Sequence, residues 1–406
     1  MVDVLIGLQW GDEGKGKIVD ILAPQYDVIA RFQGGPNAGH TLVIDGKKFV
    51  LHTIPSGAIH ENTINVVGTG TVIDPVTLMH EVDFLKAENI DVTPRLILSD
   101  KAHLILPTHK LLDKYYELSK GDLKIGSTLR GIGPTYQDKY ARTGLRVGDI
   151  FSSNFDQEYT NLKAQHLPIL KSLGLTDEDL DGLKEQEATC FAAIERMRQL
   201  KTEVIEDYLN EMILNKGGKV LAEGAQGALL DITFGSYPFV TSSNTISASA
   251  CIGLGIAPQR INKVIGIFKA YMTRVGSGPF PTELHDDIGT KIGTHGHEFG
   301  ATTGRKRRCG WLDLDLLKRT VIQNGVTDLV ITKSDVLNCV DNISVLDIDG
   351  QSKTFPSWSE ELSTITQYQS LPDNFKDYLR YIEETCGVNV ETISTGPQRS
   401  EVIYQR

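Results

Sequence analysis

The chain has 406 residues, 40% of them apolar and 23% charged, with a formal charge of −11. These are the proportions of an ordinary folded protein with a large core, and the negative balance excludes nucleic acid or an anionic membrane as the main partner, because both need a net basic surface. Five cysteines, Cys190, Cys251, Cys309, Cys339 and Cys386, form no C-x-x-C pair, which argues against a disulfide framework or a zinc site and for reduced thiols in the cytoplasm.

Residues 2–8 form a short apolar run that opens with Asp3 and has no basic leader, so it reads as a strand rather than a signal peptide. It exits into GDEGKGK. Residues 28–32 exit into QGGPNAGH and 64–67 into GTGTV. Further on, 219–222 exit into EGAQG, 264–268 into KAYMTRVGSG and 328–332 into KSD. Apolar runs without alternation predict strands covered on both faces, as in a parallel sheet flanked by helices. Function in such sheets gathers at the carboxyl ends of the strands, where these glycine-rich segments fall.

Residues 154–187 are polar and predict outer helices. One long helix is predicted over 188–215, from Phe191, Ile194, Met197, Leu200, Val204, Tyr208 and Met212 at three- and four-residue steps, stopped by Gly217-Gly218. That stripe reads as core or as a subunit contact. No stretch spans a bilayer; the longest small-residue run, 246–257, is rich in Gly and Ser. The sequence shows no repeat and no linker. The expectation is one large α/β domain over 1–406, with a mostly parallel twisted sheet and a helical insertion at 150–217.

Four loops carry candidate chemistry. QWGDEGKGKIVD, residues 9–20, fits the phosphate-loop spacing from Gly11 to Gly16-Lys17, but Ile18 stands where a magnesium-binding Ser or Thr belongs, and Asp12-Glu13 sits where phosphates approach. Its glycines and lysines suit phosphate oxygens; a plain strand-to-helix turn with a solvated charge pair reads equally well. In QGGPNAGHT, His40 follows a glycine-rich strand exit, although a lone histidine is more often structural.

Lys333-Ser334-Asp335 caps a strand. Its carboxylate suits guanine, which offers N1–H and a 2-amino group where adenine offers neither; the plainer alternative is a surface ion pair. FGATTGRKRRCGWLD carries Arg305-Lys306-Arg307-Arg308, either a solvated charge run or nucleic-acid patch, or a set of guanidinium forks for carboxylate or phosphate beside backbone N–H groups and hydroxyls. EGAQG, PFVTSSNT and STGP are likewise suited to contacting a nucleotide.

With QWGDEGKGK, NAGHT, RGIGPTYQDKYAR, EGAQG, YPFVTSSNT, RVGSGPFPTEL, EFGATTGR, GWLD, TKSDVL and STGP in this order over nearly the whole length, the chain resembles the adenylosuccinate synthetase family. The resemblance implies a sheet distantly like that of P-loop GTPases. It also implies a reaction: IMP joined to L-aspartate with GTP hydrolysed to GDP and phosphate, in the presence of Mg²⁺.

By the same resemblance Asp12 is the base at N1 of IMP, Lys15 stabilises the transferring phosphoryl group and His40 is the general acid. Asp12 and the Gly39 carbonyl are the implied metal ligands. GTP is implied at Gly11, Asp12, Glu13, Gly14, Lys15, Gly16, Lys17, Gly39, His40, Thr41 and Arg307, with its base at Lys333, Ser334, Asp335, Ser394, Thr395 and Gly396.

IMP is implied at Asp12, Glu13, Gly14, Lys15, Asn37, Ala38, Gly39, His40, Thr128, Gln226, Thr241 and Arg305, with Arg142 supplied by the other subunit of a homodimer. Aspartate is implied at Ala301, Thr302, Thr303, Gly304, Arg305, Lys306 and Arg307. Departures from the family pattern are Pro36 for a common His, Leu129 for a common Gly, Ile246-Ser247-Ala248-Ser249 for T-A-G-G, and a shorter segment between K-x-D and STGP. Relatives acting on a 2-aminopurine nucleotide such as dGMP often replace the acid at position 12 with a small residue; Asp12 favours IMP. A GTP-dependent switch needs no ATTGR loop, and a catalytically dead scaffold has no need of Asp12, Lys15, His40 and Arg305 together.

Overall fold

The computed structural model describes residues 1–299, 304 and 306–405. Ten strands build the main sheet: β1 (Val2–Gly7), β2 (Val28–Arg31), β3 (Ile64–Val67), β4 (Leu96–Ser99), β5 (Lys201–Glu203), β6 (Val220–Glu223), β7 (Ile261–Lys269), β8 (Asp328–Thr332), β9 (Val390–Ser394) and β10 (Val402–Tyr404). Their order across the sheet is β10-β9-β8-β7-β1-β6-β2-β3-β4-β5. Every neighbouring pair is parallel except β9 with β10.

The apolar runs that predicted this sheet follow from its two covered faces. Val4 and Ile6 of β1, Val28 and Ala30 of β2 and Ala222 of β6 enter one core. The alternating Leu5, Ile29 and Leu221 enter another, under Ile18 and Val19. Both faces exclude water, so neither parity of the strand needs polar residues. Each fully buried aliphatic side chain contributes about 1.5–3 kcal/mol.

The helices flanking these faces include α1 (Lys15–Leu22), α2 (Pro75–Ala87), α3 (Pro107–Ser119), α4 (Ile132–Ala141), α5 (Phe155–Ser172), α6 (Asp177–Met197) and α7 (Ile205–Leu214). No described helix is long and apolar enough to cross a membrane.

The long helix predicted over 188–215 is two helices with a strand between them. Helix α6 stops at Met197, β5 pairs in parallel with β4 through Ile97, Leu98 and Ser99, and α7 begins at Ile205. The apolar spacing ran on across the break because its two halves serve different cores. Ile194, Met197 and Leu200 pack with Leu78 and Val82 of α2, whereas α7 buries Ile205, Leu209 and Ile213. Tyr208 and Met212 are only partly buried against that second core, and Val204 is exposed. Backbone pairing at a sheet edge overrode a helical periodicity that continued by coincidence.

Candidate active site

Six strands, β1, β2, β6, β7, β8 and β9, end at one edge of the sheet, and the predicted loops leave from those ends. After β1 the chain passes through Gly11, Asp12 and Gly14 in the left-handed region, with φ of 85°, 60° and 84°, before α1 begins at Lys15. The two acids there have different roles. Glu13 is fully buried: Oε1 accepts the N–H groups of Gln9 (3.1 Å) and Gly11 (2.9 Å), while Oε2 pairs with Lys15 Nζ at 2.5 Å. Glu13 therefore folds the loop and faces inward. Asp12 faces outward with a third of its side chain exposed, and its carboxylate pairs with Arg307 Nε at 2.6 Å.

His40 lies beside α1, so close that a Cβ on Gly16 would come within 2.9 Å of the His40 Cβ; only glycine permits this approach. Its Nδ1 is 2.5 Å from Glu223 Oε1. Glu223 in turn accepts Ser56 N–H at Oε2 (2.8 Å) and Ser56 Oγ–H at Oε1 (2.6 Å). Burial pushes the His40 imidazole below its ordinary pKa although Glu223 opposes this. Its resting form is then neutral, with Nδ1–H given to Glu223 and Nε2 bare. Nε2 is buried without a partner among the described residues.

Glu223 was not among the predicted site residues. It is the last residue of β6 and pairs in register with Leu5 and with Arg31 of β2. The available signal was a carboxylate ending an otherwise apolar run.

Two more charges went unpredicted. Glu298 and Lys269 are fully buried; Glu298 Oε1 accepts from Lys269 Nζ (3.1 Å) and Tyr271 Oη (2.5 Å), and Oε2 accepts from Arg307 Nη1 (2.5 Å). Burial works to raise the Glu298 carboxyl, but Lys269, Lys333 and Arg307 outweigh it and hold it down at about 2. Arg307 is thus clamped between Glu298 and Asp12. Arg308 is bound to Glu283 and to the Gly276 and Gly278 carbonyls. Two members of the basic run are therefore committed to carboxylates, which removes the nucleic-acid reading; Lys306 and Gly304 are exposed. Predicted residues Ala301, Thr302, Thr303 and Arg305 lie outside the described residues.

At the β8 and β9 ends, Ser334, Thr395 and Gly396 are buried, and Ser394 ends β9. Lys333 takes a left-handed φ of 60° and donates Nζ to the Gly296 carbonyl at 2.8 Å. Burial lifts the Asp335 carboxyl above the usual range, opposed by Lys333 and Lys17.

On the other flank, Asn37 Nδ2 reaches Thr241 Oγ1 at 3.4 Å, joining two predicted residues. Ala38 is buried, Gly39 and Thr41 half-buried. Gln226 adopts φ 56° against Gly11, with both side-chain polar atoms buried and unpartnered. Thr128 and Arg142 are exposed. Leu129, standing for a common glycine, holds a left-handed φ of 57° and is 47% exposed; an L side chain there is strained.

Helix α4, whose C-cap is Arg142, is pinned by Asp138 Oδ2 accepting from His109 Nε2 (2.8 Å) and His166 Nε2 (2.9 Å). The spacing of this trio would admit a metal. However, His109 Nδ1 accepts the Leu106 N–H at 2.9 Å, which puts the imidazole proton on Nε2 and leaves no lone pair there for a cation. It is a hydrogen-bonded joint between α3, α4 and α5.

Sheet and loops together define a class: an α/β protein with a mostly parallel sheet whose candidate loops gather at the carboxyl edge, where such sheets bind their ligands. Comparison with known proteins gives the family. The family model described as adenylosuccinate synthetase matches residues 4–348 and 345–403. An adenylosuccinate synthetase of Parabacteroides distasonis is 51% identical over 423 residues, covering 100% of this chain and 99% of the relative. One of Bacteroides thetaiotaomicron is 51% identical over 421 residues, covering 99% and 98%. The structure of fully ligated adenylosuccinate synthetase from Plasmodium falciparum superposes with a TM-score of 0.93 at 35% identity, covering 100% of both chains. A cyanophage S-2L succinoaminodeoxyadenylate synthetase shares the fold alone, with a TM-score of 0.67 at 21% identity, covering 100% of this chain and 95% of its own.

The chain belongs to the adenylosuccinate synthetase family. It is accordingly a GTP-dependent ligase of AMP biosynthesis that joins IMP and L-aspartate.

Proposed function

We propose that Asp12, Lys15 and His40 carry the family reaction in this chain, through 6-phosphoryl-IMP. Asp12 takes the N1 proton of IMP, and O6 then attacks the γ-phosphorus of GTP as the bond to the β-phosphate oxygen breaks. Among the described residues Lys15 has one protein acceptor, Glu13, so its remaining N–H bonds can meet the transferring phosphoryl oxygens. The triphosphate charge beside His40 Nε2 draws a proton there, Glu223 balances the cation, and the proton eases departure of GDP. The aspartate amine attacks C6, the C6–O6 bond breaks, and phosphate leaves with O6.

One observation carries this reading. Of twelve buried side-chain atoms without partners among the described residues, five are His40 Nε2, both polar atoms of Gln226, Ser334 Oγ and Thr395 Oγ1; others, such as Asn65 Oδ1 and Thr202 Oγ1, lie on residues assigned to no ligand. Such atoms are costly unless a ligand satisfies them, and the five fall on residues assigned to phosphate, IMP and guanine. The other members of the binding sets given above are proposed with them, aspartate at residues 301–307 included; Lys17 is excepted, its Nζ being taken up by Ser394, Gly396 and Glu401.

Mg²⁺ fits the donors present: a partly exposed Asp12 carboxylate and the Gly39 carbonyl are the hard oxygens it prefers. When bound, it neutralises phosphate charge. We treat 1–406 as one catalytic unit with 150–217 inserted, supported by a sheet drawing strands from both ends of the chain, and we place it in the cytoplasm, where its free thiols would persist. Recovery in a membrane or secreted fraction would contradict that placement.

Purified protein with IMP, GTP, aspartate and Mg²⁺ should yield adenylosuccinate and GDP, and omission of any one should stop product. GDP formation at the full rate without IMP would instead indicate a GTPase, and preference for dGMP over IMP would favour the 2-aminopurine reading. The exposed Arg142 at the end of α4 is assigned to the IMP phosphate of a partner subunit in a homodimer. Arg142→Leu should raise the KM for IMP roughly tenfold, the worth of a charge-assisted hydrogen bond. An unchanged KM would remove Arg142 from the site.

A further inference from the structure

Lys17 occupies the position of a phosphate-binding lysine in the loop spacing, yet its side chain is directed elsewhere. Only 8% exposed, its Nζ donates to Ser394 Oγ (2.9 Å), the Gly396 carbonyl (2.6 Å) and the Glu401 carbonyl (2.8 Å). An ammonium has three N–H bonds, and all three are taken. The acceptors frame a turn that returns from β9 to β10 around Thr395, whose Oγ1 is buried and unpartnered. The same turn has a second brace: Thr395 N–H reaches the Glu401 carbonyl at 3.0 Å, and Glu401 Oε2 accepts the Gln398 N–H at 2.6 Å.

We propose that Lys17 is a positioning residue for base specificity, holding the 394–396 turn against guanine instead of contacting phosphate. This rests on the reading that the turn meets the base of GTP. The two lysines of GDEGKGK thereby divide the nucleotide: Lys15 acts at its phosphate end, and Lys17 acts through the turn at its base end. Guanine differs from hypoxanthine by the 2-amino group, so a turn held in place favours GTP over ITP, and a loosened one relaxes the preference.

The test compares kcat/KM for GTP and ITP in the intact enzyme, in Lys17→Met and in Glu401→Ala, which removes the side-chain half of the second brace, leaves the Glu401 carbonyl in place and deletes no group that could bind a phosphate. Lys17→Met should narrow the GTP:ITP ratio roughly tenfold or more, the worth of one hydrogen bond to a charged group. The KM for GTP should rise by more than kcat falls, and Glu401→Ala should shift the ratio in the same direction. Equal losses with both nucleotides in Lys17→Met, at an unchanged ratio, would overturn the proposal in favour of phosphate contact. If Lys17→Met does not fold, an unchanged ratio in Glu401→Ala overturns it. Asp335→Asn separates the two layers: an unchanged ratio there defeats the base-end reading itself, whereas a collapsed ratio there with an intact one in Lys17→Met defeats only the role of Lys17.

Discussion

Asp12→Asn is expected to lower turnover by about 10³–10⁴-fold or more while leaving the fold intact. The base itself contributes about 10²–10⁴-fold in a proton transfer of this kind, and an amide is also a poorer ligand for a hard cation. Stability should change little. The carboxylate is a third exposed, so the amide can keep its outward position without being left buried. Arg307 keeps Glu298 in the variant. Steady-state kinetics beside a thermal melt check both halves: activity within tenfold of the parent would remove Asp12 from the base role, and a collapsed melt would make it structural.

The second large effect is expected at Glu223. Glu223→Gln retains the shape of the side chain but removes the charge facing His40 Nδ1. In the nucleotide complex that charge favours the imidazolium, so its loss lowers the pKa of His40 there. The alkaline limb of kcat, where His40 gives up its proton, should move to lower pH, and turnover at pH 7–8 should fall about 10–100-fold, part of the full general-acid contribution. Each unit by which the limb moves corresponds to about 1.4 kcal/mol. Glu223→Asp, which restores charge at a shorter reach, should recover part of the shift. A purely structural Glu223 would lower kcat without moving the limb, and that result would break the link from Glu223 to His40.

The sheet was legible because its strands are buried on both faces and therefore written as unbroken apolar runs, most of them followed by a glycine-rich segment. Residues 328–332 match a strand exactly as long as its apolar run, and β6 differs from its predicted bounds by one residue at each end. The helical region was less legible. The spacing over Ile194, Met197 and Leu200 records burial, while Val204 in the same spacing is exposed; periodicity carries no sign of which core a residue enters, so the edge strand at Lys201–Glu203 stayed hidden.

The site shows the same division. The loops that gather at the carboxyl edge were readable as segments following apolar runs, whereas Glu223, Glu298 and Lys269 pair with groups far away in sequence. Lys269 and Glu298 look unremarkable on their own strings and gain meaning only when the fold seals them together with Tyr271 and Arg307. The acidic pair after Gly11 was visible, but not its division: Glu13 turned in to fold the loop, Asp12 turned out toward Arg307 and solvent.

The proposed route through 6-phosphoryl-IMP is tested most directly by the fate of one oxygen. IMP labelled with ¹⁸O at position 6 is converted with GTP, aspartate and Mg²⁺ in unlabelled water, and the phosphate released is analysed by mass. The account predicts one ¹⁸O atom in each phosphate, because O6 attacks the γ-phosphorus and leaves C6 bonded to it. Phosphate free of label, with adenylosuccinate still formed, would contradict it.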